Sequence, residues 1–116
     1  MNNIMDHKKN ALNAIGNTPL VRLEKIVPSN SAEVWLKLEG GNPTGSYKDR
    51  MALSVLSSAI ERGELSPGDT VIEYTGGSTG TALAFVSAVL GLKFLRYFLM
   101  HFQKVSNWQW KLLVLR

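Results

Sequence analysis

The chain has 116 residues, 45% of them hydrophobic and 19% charged, a composition that suits one globular domain and argues against disorder as the default. With no cysteine and two isolated histidines, His7 and His101, it excludes a disulfide framework, thiolate catalysis, a cysteine-based zinc site and a histidine metal cluster. The net charge of +4 divides unevenly: nine basic and nine acidic residues cancel up to Phe94, and Arg96, Lys104, Lys111 and Arg116 follow with no acid among them, so the body offers no hint of a nucleic-acid surface.

In chain order, residues 1–10 (MNNIMDHKKN) lack an apolar core segment and read as a disordered start, not a secretion signal. Ala11 to Ile15 fits a short turn of helix, and Gly16-Asn17-Thr18-Pro19 is loop chemistry leading into a brief edge strand, Leu20 to Leu23. Pro28-Ser29-Asn30 turns the chain. From Val34 to Glu39 the residues alternate apolar and polar sides, which predicts a strand. Met51, Ala52, Val55, Leu56, Ala59 and Ile60 recur at the spacing of one helix face, and Arg62-Gly63 closes that helix. After the turn at Ser66 to Asp69, Thr70 to Thr75 reads as another strand. Thr81 to Leu90 is apolar nearly all round and predicts a buried helix. Gly91 ends it, and a new apolar run starts at Lys93. The alternation predicts an α/β fold, a partial parallel sheet with crossover helices. The uncharged run from Tyr74 to Leu92 has membrane-spanning length, but its first third is Thr, Gly and Ser. A glycine-rich loop and a buried helix account for it, so the expectation is a soluble, cytoplasmic protein.

Two loops carry the chemistry. Gly40-Gly41-Asn42-Pro43-Thr44-Gly45 joins a strand to a helix that begins at Lys48. A lysine there opposes the positive end of the helix dipole, and the same field favours its neutral, nucleophilic amine. The plain alternative is a solvated surface lysine. Asp49 and Arg50 read as a first-turn dipole match and a surface or interdomain pair. Tyr47 and Tyr74 read as packing aromatics. The second loop, Thr75-Gly76-Gly77-Ser78-Thr79-Gly80, puts small residues at a helix start, where free N–H groups attract a carboxylate or phosphate. It has neither the Walker nor the G-x-G-x-x-G spacing, and a tight strand-to-helix connection would look the same. Both loops fall at the carboxyl ends of predicted strands, where open α/β sheets bind ligands. An amine and an anion pocket facing one site would hold an aldehyde cofactor while gripping an amino acid's carboxylate.

Taken together, IGNTPLVRL (Ile15 to Leu23), KLEGGNPTGSYKDR (Lys37 to Arg50) and EYTGGSTG (Glu73 to Gly80) resemble the N-terminal part of the pyridoxal-phosphate enzymes of the cysteine synthase and cystathionine beta-synthase family. That resemblance runs from about Ala11 to Phe94. It implies an N-terminal fragment of a fold type II pyridoxal-phosphate enzyme, with residues 11–94 as a partial enzyme domain. Lys48 would bind pyridoxal phosphate through its amine and later transfer a proton. Thr75, Gly76, Gly77, Ser78 and Thr79 would line the loop for the substrate carboxylate. The family pattern there is Thr-Ser-Gly-Asn-Thr-Gly, so Gly76 replaces a serine, and Ser78 replaces the asparagine expected to contact the cofactor's ring hydroxyl. The implied reaction class is beta-replacement or beta-elimination on serine-like amino acids, as in cysteine biosynthesis. The family's phosphate-binding glycine loop and its partner for the pyridine nitrogen come later in the chain than these motifs.

From Leu95 the sequence, LRYFLMHFQKVSNWQWKLLVLR, contains no Gly, Pro, Asp or Glu and two of the three tryptophans. Residues 95–116 are therefore expected to be an atypical basic, aromatic tail, frameshifted or truncated relative to the family. The alternatives are a last strand from Lys93 to Met100 followed by a short amphipathic helix, or a membrane-surface anchor. The expected partners are a small amino-acid substrate and, for a non-catalytic module, a second copy or a full-length homologue meeting the open sheet edge. Neither nucleic acid nor membrane is expected as a partner.

Overall fold

The computed structural model describes residues 10–97. The expected disordered start and most of the 95–116 tail lie outside them. A short 3-10 turn, Ala11–Ala14, is capped by the Asn10 side chain, whose Oδ1 accepts the Leu12 N–H at 2.9 Å. Strand β1 (Leu20–Leu23) runs antiparallel to β2 (Val34–Lys37), pairing Leu20 with Lys37 and Leu23 with Val34. A 3-10 turn, Glu39–Gly41, follows, then helix α1 (Lys48–Glu61), strand β3 (Thr70–Tyr74), helix α2 (Ser78–Val89) and strand β4 (Lys93–Tyr97). β3 and β4 are parallel, with Thr70 opposite Lys93 and Tyr74 opposite Tyr97, and α2 is the crossover between them.

Mixed helices and strands with a parallel sheet match the expected fold class. The arrangement of β2 differs from expectation. β2 does not join β3 and β4; it forms a separate two-stranded sheet with β1. Its own ladder explains why: the loop of residues 24–33 brings it back against β1, and the Leu38 N–H donates to the Pro19 carbonyl at 2.9 Å, extending that pairing by one step. The alternation in β2 also buries neither side, since Val34, Trp35 and Leu36 are all exposed. β2 ends at Lys37, before Glu39, because the next residues enter the 3-10 turn.

The core sits between the two helices. Ala52 and Leu56 of α1, Ala82, Leu83 and Val86 of α2, together with Leu12 and Leu92, form one buried cluster, and Val71 and Phe94 cover it from β3 and β4. α2 is the buried helix its composition predicts, although it begins at Ser78, three residues before the apolar run, so the loop's own Ser78, Thr79 and Gly80 are its first turn. α1 ends where expected. Gly63 adopts φ +72°, a left-handed conformation that glycine takes without cost, and the Glu64 N–H reaches back to the Ala59 carbonyl at 2.9 Å.

Candidate functional site

Lys48 is the first residue of α1 and is half-buried. Its ammonium stands 4.7 Å from the centroid of the Tyr47 ring, and its backbone N–H donates to Ser46 Oγ at 3.2 Å. Among the described residues the ammonium makes no hydrogen bond or ion pair, so the amine is presented by its backbone and tethered by little else. Tyr47 is not the packing aromatic expected: it is 57% exposed, and its ring serves as the face beneath Lys48. Tyr74, at the end of β3, is also exposed.

The second loop begins from a fixed point. Thr75 is buried, and its N–H donates to the Tyr97 carbonyl at 3.0 Å, which extends the β3–β4 ladder by one residue. Thr75 Oγ1 accepts the Gly77 N–H at 3.4 Å. Gly77 is the N-cap of α2 and contributes no side chain to capping. The N–H groups of Ser78 and Thr79 therefore open the helix without a side-chain acceptor from the cap, at the positive end of the dipole. Among the described residues, a Cβ at Gly76 or Gly77 would meet nothing within 4 Å. The described residues leave the glycine side of this loop open.

The structure places Lys48 and Ser78 each at the start of a helix, and the two helices pack on one another through the shared core. Among the described residues no hydrogen bond joins Lys48 to the loop from Thr75 to Thr79. The link between the two segments that the described residues show is the packing of their helices. A common sheet does not supply it, because β2 lies outside the parallel pair.

Pattern reading assigned turn or surface roles to several residues that carry the architecture around Lys48. Asp49 is fully buried, and its carboxylate accepts the Thr44 N–H at 2.8 Å and the Thr44 hydroxyl. It acts as a staple from the first helical turn back onto the Pro43-Thr44-Gly45 loop. Asn42, expected only to turn the chain, is 4% exposed. Its Oδ1 accepts the Gly16 N–H at 2.8 Å, and its Nδ2 donates to the Glu39 carbonyl at 2.8 Å and to Glu39 Oε2 at 3.0 Å. Arg50 does form an ion pair, and its partner is Glu39, with Nε to Oε2 at 2.7 Å and Nη2 to Oε1 at 3.0 Å. This two-pronged geometry suits a guanidinium and a carboxylate. Thr18, 6% exposed, donates its hydroxyl to Glu39 and accepts from Arg50 Nη2 at 3.1 Å. Lys37 Nζ donates to the Thr18 carbonyl. The Glu39 carboxyl is lowered from its ordinary 4.5 to about 2, first by the Arg50 hydrogen bonds and then by the Thr18 hydroxyl, with partial burial opposing both. The sequence signal for this network is an acid just past the end of one strand and an arginine in the next helical turn. It gains weight only once the loop between them is known to fold back.

Comparison with known proteins agrees with these motifs. Residues 11–109 match the family model for pyridoxal-phosphate dependent enzymes. The chain belongs to that family. Cysteine synthase B of Escherichia coli (strain K12) is 58% identical over 79 residues, an alignment covering 68% of this chain and 26% of that protein. Among solved structures, an O-ureido-L-serine synthase aligns with a TM-score of 0.77 at 42% identity, covering 91% of this chain and 32% of the other. An O-acetylserine dependent cystathionine beta-synthase from Helicobacter pylori aligns with a TM-score of 0.78 at 31% identity, covering 91% and 34%. This pyridoxal-phosphate family chain is thus cysteine synthase-like, and it spans about a quarter of the length of that cysteine synthase B. No helix among its described residues is long and apolar enough to cross a membrane.

Proposed function

We propose that this chain supplies the lysine and the carboxylate-binding loop of a cysteine synthase-like enzyme, acting by beta-replacement or beta-elimination on serine-like amino acids. The observation that carries the reading is that the two motif segments each open a helix, and that those helices share one core. The residues present suit pyridoxal phosphate. Lys48 offers an amine with no hydrogen bond or ion pair among the described residues, and the α2 start offers N–H groups without a side-chain cap before open space. When bound, the cofactor supplies an electron sink beside the substrate's amino group.

In this reading Lys48 holds the cofactor through its amine and then carries a proton to or from the substrate. Thr75, Gly76, Gly77, Ser78 and Thr79 grip the substrate carboxylate with backbone N–H groups and hydroxyls, which fixes the orientation of the reacting carbon. Ser78, standing where the family pattern has asparagine, presents a shorter hydroxyl to the cofactor ring.

Borohydride trapping tests the proposal. The purified chain is mixed with pyridoxal phosphate and reduced, and the modified peptides are mapped by mass spectrometry. Label concentrated on Lys48 is the expected result. Label spread over the exposed lysines would overturn the cofactor assignment.

A second reading, a non-catalytic module that pairs with a full-length homologue, is favoured by one observation. Leu20, Trp35 and Leu36 of the β1–β2 sheet and Ile72, Leu95 and Tyr97 of the β3–β4 sheet are exposed apolar residues on short, open sheets. Co-purification of the chain with a full-length cysteine synthase-like protein supports that reading; a monodisperse monomer with turnover of its own removes it.

A further inference from the structure

Three segments of the chain, residues 16–18, 39–42 and the first turn of α1, meet at the Glu39 carboxylate. Its oxygens accept from Arg50 in α1 and from Thr18 in the loop before β1, and Asn42, which donates to Oε2, also takes the Gly16 N–H. The guanidinium lies against Gly16: a Cβ there would sit 3.0 Å from Arg50 Nη1, and Gly16 has φ +87°. Glycine is therefore required twice over, by backbone conformation and by the approach of Arg50. Arg50 is two residues beyond Lys48, and the Asp49 staple and the Ser46 hydroxyl also hold the backbone at this helix start.

A polar assembly of this kind is a weak way to hold a fold, because desolvating its charges offsets much of their attraction. It is a good way to fix direction, since a forked pair has one geometry. The apolar face of α1, with Ala52, Leu56 and Ala59, anchors the helix to the core without setting where its first residue points. We propose that Glu39 is a positioning residue for Lys48: through Arg50, Thr18 and Asn42 it fixes the start of α1, and with it the direction of the amine. The importance of that direction rests on the function proposed above, whereas the fixing of the helix start does not.

The test uses Glu39→Gln, with Arg50→Lys as a second variant that keeps the charge and loses the fork, and Glu64→Gln as the control. Glu64 pairs with Arg62 on the surface, away from this cluster. Two readouts are taken on the full chain. The first is hydrogen exchange without cofactor at the amides of Lys48, Asp49 and Arg50, which donate to Ser46 Oγ, the Ser46 carbonyl and the Tyr47 carbonyl, measured against core amides of α2. The second is the fraction of borohydride label on Lys48. Glu39→Gln is expected to speed exchange at residues 48–50 far more than at Ala82 to Val86, and to lower Lys48-specific label by about tenfold or more, as misplacement of a reacting group does. Arg50→Lys changes both readouts in the same direction, and Glu64→Gln changes neither. Unchanged exchange at residues 48–50 in both variants would overturn the proposal, and so would equal loss of protection in α2, which would make Glu39 a support of the whole fold. If the wild-type chain itself fails to label at Lys48, the cofactor reading falls, and the exchange data still decide whether Glu39 positions the helix start.

Discussion

Around α1 and α2 the chain is held by side chains that water does not reach, Ala52, Ala82 and Val86 among them, whereas the loops before α1 are held by Glu39, Arg50, Thr18 and Asn42 through hydrogen bonds. The apolar half obtains its stability from area removed from water and is insensitive to pH. The polar half gains little net energy per bond but has few alternative geometries, and it sits next to Lys48, the residue proposed to hold the cofactor. The division follows the proposed chemistry, with bulk stability on one side and aim on the other.

The sharpest way to break this comparison is to damage the apolar side. Leu56 is 3% exposed at the centre of the cluster, and Leu56→Ala should cost roughly 2–5 kcal/mol from lost transfer energy and the cavity left behind. Urea denaturation of both chains measures it. A cost below about 1 kcal/mol would mean the site collapses freely and that the helix pair does not dominate stability.

The polar side should respond to acid instead. Glu39 has its carboxyl lowered from 4.5 to about 2 by Arg50 and Thr18. A depressed carboxyl binds fewer protons when folded than when unfolded, so its stabilisation is complete above the unfolded value and drains away as pH falls from about 4.5 toward about 2. Glu64, lowered in the same direction by Arg62, belongs to a pair whose side chains are 58% exposed each, and water screens most of its contribution. Denaturation at a series of pH values should therefore show an acid limb that Glu39→Gln flattens and Glu64→Gln leaves nearly unchanged. The same limb in both variants would place the acid sensitivity elsewhere.

What was legible in the sequence follows the same division. Helix-face periodicity located α1 and an unbroken apolar run located α2, because burial of Leu56, Ala82 and Val86 leaves a trace along the chain. The three motifs, read together, identified the family. Periodicity could not tell that β2 pairs with β1 alone, since strand alternation does not name a partner. Nor could it show that Asp49 is buried or that Glu39, Asn42 and Thr18 converge. Asp49 takes its role from the Thr44 loop five residues back, and the other three from contacts across 21 or 26 residues of sequence, none of which a local pattern displays. Tyr47 was misjudged for a related reason: an aromatic beside a helix start implies packing by composition, and only the fold reveals that it faces outward under Lys48.

The smallest expected effect bears on the anion loop. Gly77 caps α2 with extended backbone, φ −136° and ψ −151°, which any residue adopts, and a Cβ there meets nothing within 4 Å among the described residues. In Gly77→Asp the new carboxylate can accept from the first N–H groups of α2 and lies at the positive end of the dipole. The variant should be more stable by about 0.3–1 kcal/mol, read as a higher thermal midpoint. Those same N–H groups are the ones assigned to the substrate carboxylate, and a resident negative charge both occupies and repels. L-serine added to the chain loaded with pyridoxal phosphate should raise the midpoint of the wild type and leave that of Gly77→Asp where it was. A variant that gains stability and still responds to L-serine would show that the carboxylate is gripped elsewhere, and would leave the loop as a strand-to-helix connection.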